Sequence, residues 1–294
     1  RIEDTDKERS TKEFEDDILD GLAWLGLTHD AFYRQSERGA IYKKHLEELI
    51  ASGAAYLSKE EATEEGKRGE VIRFKNPGTK VIFRDEIRGD IEFDTTELGD
   101  FVLAKDMDTP LYHFAVVVDD LEMGVTHVIR GDDGIANTPR QILIQEALGA
   151  PRPTYAHLPM ILAPDRSKLS KRHGAVAVTE YREIGYLAEA IINFVAFLGW
   201  NPGDEREIFS MGELVDAFVL EKVQKSGGVF NVEKLNWINR HYMNALSASA
   251  VLERILEVIP PRIKILSHFS EATLRKILPI LLERADRFDD VRVA

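Results

Sequence analysis

No cysteine occurs among the 294 residues. Disulfides and cysteine-ligated zinc are thereby excluded, and the composition is compatible with a reducing, cytoplasmic setting. No apolar run approaches the ~20 residues of a bilayer-spanning helix, so no membrane association is expected. Residues 1–20 are charged throughout, which is not the pattern of a secretory leader. Cations are in short supply: 38 Lys and Arg face 51 Asp and Glu, a formal net charge of −13. That balance argues against a uniformly basic nucleic-acid-binding surface. It leaves room for an RNA enzyme that gathers its cations on one face, because net charge bears on solubility and steering rather than on fold. With 44% hydrophobic residues, the chain has enough apolar material for two or more cores, since single cores stop growing at roughly 250–300 residues.

One short stretch brings several cations together. The apolar run His157–Leu162 leads into Pro164-Asp165, a turn signal. Lys168, Lys171 and Arg172 follow, with Ser167 and Ser170 among them and Gly174 closing. Phosphate oxygens accept hydrogen bonds from ammonium, guanidinium and backbone N–H groups together. In nucleotidyl transfer a positioned lysine stabilises charge on the departing phosphates. The spacing by itself equally fits a solvated basic loop.

A second pattern is Val125-Thr126-His127-Val128-Ile129-Arg130, read as a buried strand ending in a cation. A Gly-Asp-Asp loop follows, then Asn137-Thr138-Pro139, which opens a helix with Asn137 or Thr138 as N-cap and Pro139 at its first position. Open α/β sheets bind ligands at such strand carboxyl ends. Arg130 there is placed to grip a carboxylate bidentately.

Elsewhere the reading is structural. Helices are expected over 11–25, with Ile18, Leu19, Leu22, Trp24 and Leu25 facing the core, and over 36–52, with Ile41, Tyr42, Leu46, Leu49 and Ile50 as its stripe. Residues 58–68 read as a short charged helix and loop. Strands are expected at 71–74, 80–83, 90–94 and 101–105. Tyr112–Val118 reads as a strand entering a helix, with Asp119-Asp120 as cap or turn residues. A tyrosine such as Tyr112 in an apolar run is otherwise a core residue with a satisfied hydroxyl. Trp200 reads as packing, and 241–294 as helical with Pro260-Pro261 as punctuation.

Lys168-Leu169-Ser170-Lys171-Arg172 resembles the lysine-bearing signature loop of class I aminoacyl-tRNA synthetases. Arg1–Asp6, Tyr112–Asp120, His127–Asp133 with Asn137–Gln141, and Leu198–Asp204 narrow the resemblance to the glutamyl-tRNA synthetases, in order and over nearly the whole chain. This implies an α/β class I nucleotide-binding, Rossmann-like fold with an inserted α+β acceptor-binding domain, followed by an all-helical region. The implied division is 1–50 for the first part of the catalytic domain and 51–100 for the insert that receives the tRNA acceptor end. Residues 101–165 would be the second half of the catalytic domain, 166–240 the signature loop and stem-contact region, and 241–294 the start of the anticodon-binding helices.

The same resemblance implies the chemistry. Glutamate's carboxylate attacks the α-phosphorus of ATP, and pyrophosphate leaves under the charge of Lys168, Lys171 and Mg2+. The glutamyl-adenylate is then passed to tRNA(Glu). By this resemblance Glu3 faces the amino group of L-glutamate, Tyr112 lines its pocket and Arg130 binds its side-chain carboxylate. Asp133, Ile161 and Lys171 are placed at ATP. Many relatives carry a cysteine-rich zinc site near residues 53–70; this sequence does not, so no zinc is expected. Relatives commonly have histidine or tryptophan where Gly134 stands. The protein is expected to be cytoplasmic and monomeric.

The family's second signature, a histidine-glycine pair that binds ATP phosphates at a helix N-terminus, does not occur in these residues. The expectation is that the natural protein continues upstream, and that this chain by itself is inactive. Two other readings stand beside ligation to the tRNA 3′ end. One is glutamylation of a modified tRNA base, against which residues 205–294 argue. The other is a non-catalytic tRNA-binding fragment.

Overall fold

Two β-strands and the helix between them carry the Arg130 region. Strand β7 (His127–Gly131) runs parallel to β8 (Thr154–Leu158), and helix α4 (Thr138–Ala147) connects them. Asn137 precedes the helix and a proline occupies its first turn, as expected where an orphan N–H would otherwise need a partner. The computed structural model describes residues 1–6, 8–59, 69–170, 172, 177–247, 249–251, 253–254, 271–282 and 285–292. Two compact units result: Arg1–Asp16 with His29–Leu158, and Asp17–Thr28 with Pro159–Ala294.

The first unit holds two four-stranded sheets. One has the order β1 (Ala55–Lys59), β2 (Glu70–Phe74), β5 (Phe101–Asp106), β6 (Thr109–Pro110), all antiparallel. The other has the order β4 (Gly89–Asp94), β3 (Lys80–Asp85), β8, β7; the hairpin β3–β4 is antiparallel, while β3–β8 and β8–β7 are parallel. Helices α2 (Gly39–Ala51), α3 (Tyr112–Glu122) and α4 pack with these strands around Leu46, Leu103, Phe114, Val118 and Ile142, all with no more than trace exposure. The second unit is built on α5 (Val178–Glu183), α6 (Ala188–Ala196), α7 (Met211–Ala217) and α8 (Val232–Ala245), with a further helix over Glu271–Leu282. Its core gathers Ala190, Leu235, Ile238, Met243 and Phe288. A short parallel pair, β9 (Ile161–Leu162) with β10 (Gly228–Val229), completes it. No helix among the described residues is long and apolar enough to cross a membrane.

Several local expectations change. Tyr112–Val118 is helical from its first residue. The run Val116-Val117-Val118 favours a strand locally, but Phe114 through Asp119 are all buried, and burial on every side overrides propensity. Asp119 and Asp120 are therefore neither caps nor turn residues. Asp119 lies fully buried in mid-helix, accepting from Gln35 Nε2 at 2.9 Å, Arg38 Nε at 2.7 Å and the Tyr42 hydroxyl at 2.9 Å. Strand β7 alternates between exposed and half-buried positions instead of being buried throughout; among the described residues it pairs with β8 alone.

Helix α1 (Lys12–Trp24) forms as expected, but only part of its expected apolar face meets a core: Trp24 and Leu25 pack, half-buried, against the second unit's core. Phe14 is 59% exposed, Ile18 53% and Leu22 38%. Glu15 and Gly21 are buried on either side of that exposed ridge. Hydrogen bonds from Arg34, and then from Lys12, hold the Glu15 carboxyl down at about 2. Ser58 and Lys59 belong to β1 rather than to a helix, and residues 60–68 lie outside the described residues.

Candidate active site

Register places the central pair. In the parallel ladder of β7 and β8, Arg130 stands opposite His157 and Ile129 opposite Ala156. Side chains alternate faces along a strand, so Arg130 and His157 share a face. Asp85 ends β3 opposite Tyr155 of β8, two residues before His157 and on the same face.

The resulting contacts are directional. Arg130 Nε donates to His157 Nε2 at 3.1 Å. Its Nη2 donates to Gln141 Oε1 at 2.8 Å, Thr138 Oγ1 at 2.9 Å and the Gly134 carbonyl at 3.1 Å. On the far side of the ring, His157 Nδ1 lies 2.6 Å from Asp85 Oδ2. Asp85 and His157 have 1% and 0% exposure. Burial pushes the His157 imidazole below its ordinary value; the hydrogen bond to Asp85 opposes this and the charge of Arg130 adds to it. Burial alone would raise the Asp85 carboxyl, but hydrogen bonds from the Arg88 N–H and from His157 hold it below the usual range.

The guanidinium is thus fixed along its Nε–Nη2 edge, and no acceptor for Nη1 occurs among the described residues. An arginine has five N–H donors and no acceptor, so the cradle leaves donors for an incoming carboxylate. Nε and both N–H groups of Nη2 are engaged, so the two N–H groups of Nη1 are what remain for a carboxylate, and the two-nitrogen bidentate grip expected for Arg130 is not open in this arrangement. Gly134 makes the cradle possible: a Cβ there would lie 2.4 Å from Arg130 Nε and 2.7 Å from its Cδ. The glycine that departs from the family's usual pattern is thus the floor under the arginine.

Glu3 is held by Arg1, whose Nη2 donates to Glu3 Oε1 at 2.9 Å and whose Nη1 donates to Asp120 Oδ1 at 2.7 Å. Ile2 pairs with Arg34, its N–H donating to Tyr33 O at 2.8 Å. Tyr112 is half-buried at the start of α3, against the ring of His113 with centroids 5.4 Å apart. Burial pushes His113 down, and the charges of Arg140 and Arg130 push it further, so the start of α3 faces a cationic neighbourhood. Tyr112 also lines a cavity of about 640 Å3 with Asp4, Gln35, Ser36, Tyr42 and Lys105. Neither Glu3 nor Arg130 is on that wall. Glu3, Tyr112 and Arg130 lie in one unit, with no hydrogen bond among the three. Asp133 is exposed in the 3-10 turn Asp132–Asn137.

In the second unit the stretch leading into the signature loop, Leu162–Lys168, is a tight hairpin. Ala163 N–H donates to Ser167 O and Arg166 N–H to Ala163 O, both at 2.8 Å. Asp165 Oδ1 accepts from Ser167 N–H at 2.9 Å and from its hydroxyl at 2.6 Å. The Pro164-Asp165 turn is therefore present, with Arg166 at φ 64°. Lys168 is exposed and bridges Leu162. Ile161 pairs with Gly228. Lys171 lies outside the described residues, as do His173 and Gly174. Among the described residues no group of three or more His, Asp or Glu side chains could hold a metal ion.

Sequence reading missed Asp85 and His157, took Thr138 only as a candidate N-cap and assigned no role to Gln141. The last two carried a signal, since residues three apart on one helix share a face. Asp85 carried none, because its link to Arg130 runs through two strand pairings.

Known proteins resemble this chain over most of its length. A family pattern described as tRNA synthetases class I (E and Q), catalytic domain, matches residues 1–68 and 57–237. The glutamate–tRNA ligase of Aquifex aeolicus is 48% identical over an alignment covering 87% of this chain and 62% of that protein. That of Carboxydothermus hydrogenoformans is 41% identical, covering 96% and 68%. The chain thus spans about two thirds of these relatives' length. A crystal structure of a glutamate tRNA ligase from Elizabethkingia meningosepticum in complex with its amino acid superposes with a TM-score of 0.88 at 33% identity, covering all of this chain and 71% of that one. With that family pattern matching most of its length, the chain belongs to the class I tRNA synthetases of the glutamate and glutamine type.

Proposed function

We propose that the protein activates L-glutamate with ATP and ligates it to tRNA(Glu). The observation that carries this is the Arg130 cradle, a fixed cation at a strand carboxyl end whose Nη1 is left for a ligand carboxylate. The names of the relatives support the choice of glutamate. In the first step an α-carboxylate oxygen of glutamate attacks the α-phosphorus of ATP, and the bond to pyrophosphate breaks. In the second, a terminal ribose hydroxyl of the tRNA attacks the acyl carbon and AMP leaves. No side chain becomes covalently attached; positioning and charge stabilisation supply the catalysis.

In this reading Arg130 pairs with the side-chain carboxylate, Glu3 with the ammonium group, and Tyr112 closes the pocket. Lys168 and Lys171 neutralise the departing pyrophosphate, while Asp133 and Ile161 lie along the nucleotide. Mg2+ would enter on the phosphates of ATP; the described residues offer no resident site for it. Residues 51–100 would receive the acceptor end, 166–240 the inner side of the tRNA, and 241–294 would begin the anticodon region, in a cytoplasmic monomer.

The test is charging of unmodified tRNA by the natural full-length protein. Labelled glutamate should become attached at the tRNA 3′ end, and removing that end should abolish it. Label inside the chain, or no label with tRNA still bound, would overturn the proposal. Lys171→Ala should cut the activation rate at least ~100-fold, in the range of other transition-state charge stabilisers, while glutamate affinity changes little. Equal losses in both would contradict its role.

A further inference from the structure

We propose that Asp85 and His157 are positioning residues for Arg130, and through it for the glutamate side chain; this deepens, and rests on, the reading of Arg130 above. Arg130 Nε can only donate, so the ring nitrogen it meets, His157 Nε2, must be an acceptor. The proton of the neutral imidazole then sits on Nδ1, where Asp85 Oδ2 receives it at 2.6 Å. Asp85 is itself fixed, accepting from the backbone N–H groups of Ile87 at 3.0 Å and Arg88 at 2.8 Å. A buried carboxylate that sets a histidine tautomer can control what the far nitrogen does.

Here the far nitrogen orients a substrate-binding cation. His157 from β8, Thr138 and Gln141 from α4 and the Gly134 carbonyl clamp Nε and Nη2 of the guanidinium, so the direction of Nη1 is preset. Preset geometry lowers the cost of ordering the site when the ligand arrives.

A buried histidine whose only task is packing would be indifferent to ligand. This one is not, because its protonation would place an N–H against the N–H of Arg130 and a second cation beside the first. The groups that face the ring are Asp85 at the end of β3, Arg130 on β7, Thr138 on α4 and, electrostatically, Asp132. Asp132 is already paired with Arg88 at 2.5 Å. Tyr155 of the same strand stacks on the ring, with centroids 6.2 Å apart. The imidazole, held below its ordinary value of about 6.5, is neutral at pH 7 and becomes charged on acidification. Glutamate affinity should fall as it does so. The ligand's own side-chain carboxyl, near ~4.3 when free, stays ionised across that range.

The test is glutamate binding to the natural full-length protein by titration calorimetry, with four forms compared. The unsubstituted protein should bind more weakly at about pH 5.5 than at about pH 7.5, by less than about tenfold because the imidazole is held below its ordinary value. Asp85→Asn keeps an acceptor for the backbone N–H groups but turns an amide N–H toward Nδ1. That favours the wrong tautomer, and glutamate Kd at about pH 7.5 should rise about tenfold with KM for ATP unchanged. His157→Gln offers an amide oxygen that does not titrate, so it should retain most of the affinity and lose the acid weakening. Arg130→Ala should lose glutamate binding; if it does not, the reading of Arg130 fails and this proposal falls with it. If Arg130→Ala loses binding while Asp85→Asn and His157→Gln match the unsubstituted protein at both pH values, the positioning role alone is overturned. Should either variant fail to fold, 15N-histidine NMR of the unsubstituted protein decides instead: a proton on Nδ1 and a bare Nε2 support the proposal, and a proton on Nε2 overturns it.

Discussion

Gly134 touches Arg130 more closely than any side chain could. A β-carbon 2.4 Å from Nε cannot be accommodated without moving the guanidinium. Gly134→Ala should therefore leave the melting temperature nearly unchanged, since no left-handed backbone is required there. It should weaken glutamate binding about tenfold, roughly 1.4 kcal/mol; binding calorimetry checks this, and an unchanged Kd would mean that Arg130 shifts without consequence. The arginine was legible from sequence as a cation at a strand end followed by a helix start. Its cradle was not, because Asp85 and His157 are 72 residues apart and meet only through sheet register.

Element by element, hydrophobic pattern located the helices better than it located their environments. Helix α1 has the period of a helix, yet its ridge Phe14–Ile18–Leu22 faces outward, since periodicity defines a face without saying what covers it. Helix α3 carries a triple valine that reads as strand, and only burial on all sides explains it. The pair Gly227-Gly228 gave no functional signal, but a β-carbon at 228 would lie 1.5 Å from the Leu198 carbonyl oxygen. At 227 a β-carbon would lie 2.7 Å from Leu162 Cδ1 and 2.9 Å from the Met160 carbonyl oxygen, and it is that approach that lets β10 pair with β9. The strongest element-level anchor is Asp119, which ties α3 to α2 and to the 3-10 turn Gln35–Glu37. Asp119→Ala should strand the Arg38 guanidinium and the Tyr42 hydroxyl, at a cost of about 3–5 kcal/mol. Denaturant unfolding measures it; a loss below about 1 kcal/mol would show that water replaces the carboxylate freely.

At the scale of the whole molecule, each compact unit has its own core, and all three tryptophans, Trp24, Trp200 and Trp237, belong to the second. Tryptophan fluorescence therefore reports on that unit, and far-UV circular dichroism on both. Leu103 is fully buried in the first unit, and Leu103→Ala should cost about 2–5 kcal/mol there. The early part of the dichroism transition should move to lower denaturant while the fluorescence midpoint stays in place; joint movement of both would mean that the units unfold as one. The two-core organisation was legible from length and composition, whereas the course of the chain between the cores was not. Residues 17–28 join the second unit although their neighbours on both sides belong to the first, a long-range choice that no local pattern encodes.

The central claim is that Arg130 reads the side chain of glutamate. The most direct measurement is tRNA charging by the full-length protein over a range of glutamate concentrations, for the unsubstituted form and Arg130→Ala. Removing a fixed cation from a carboxylate should raise KM for glutamate at least ~100-fold, about 2.7 kcal/mol, and leave KM for ATP within about twofold. An unchanged KM for glutamate, or an equal loss toward ATP, would contradict the account.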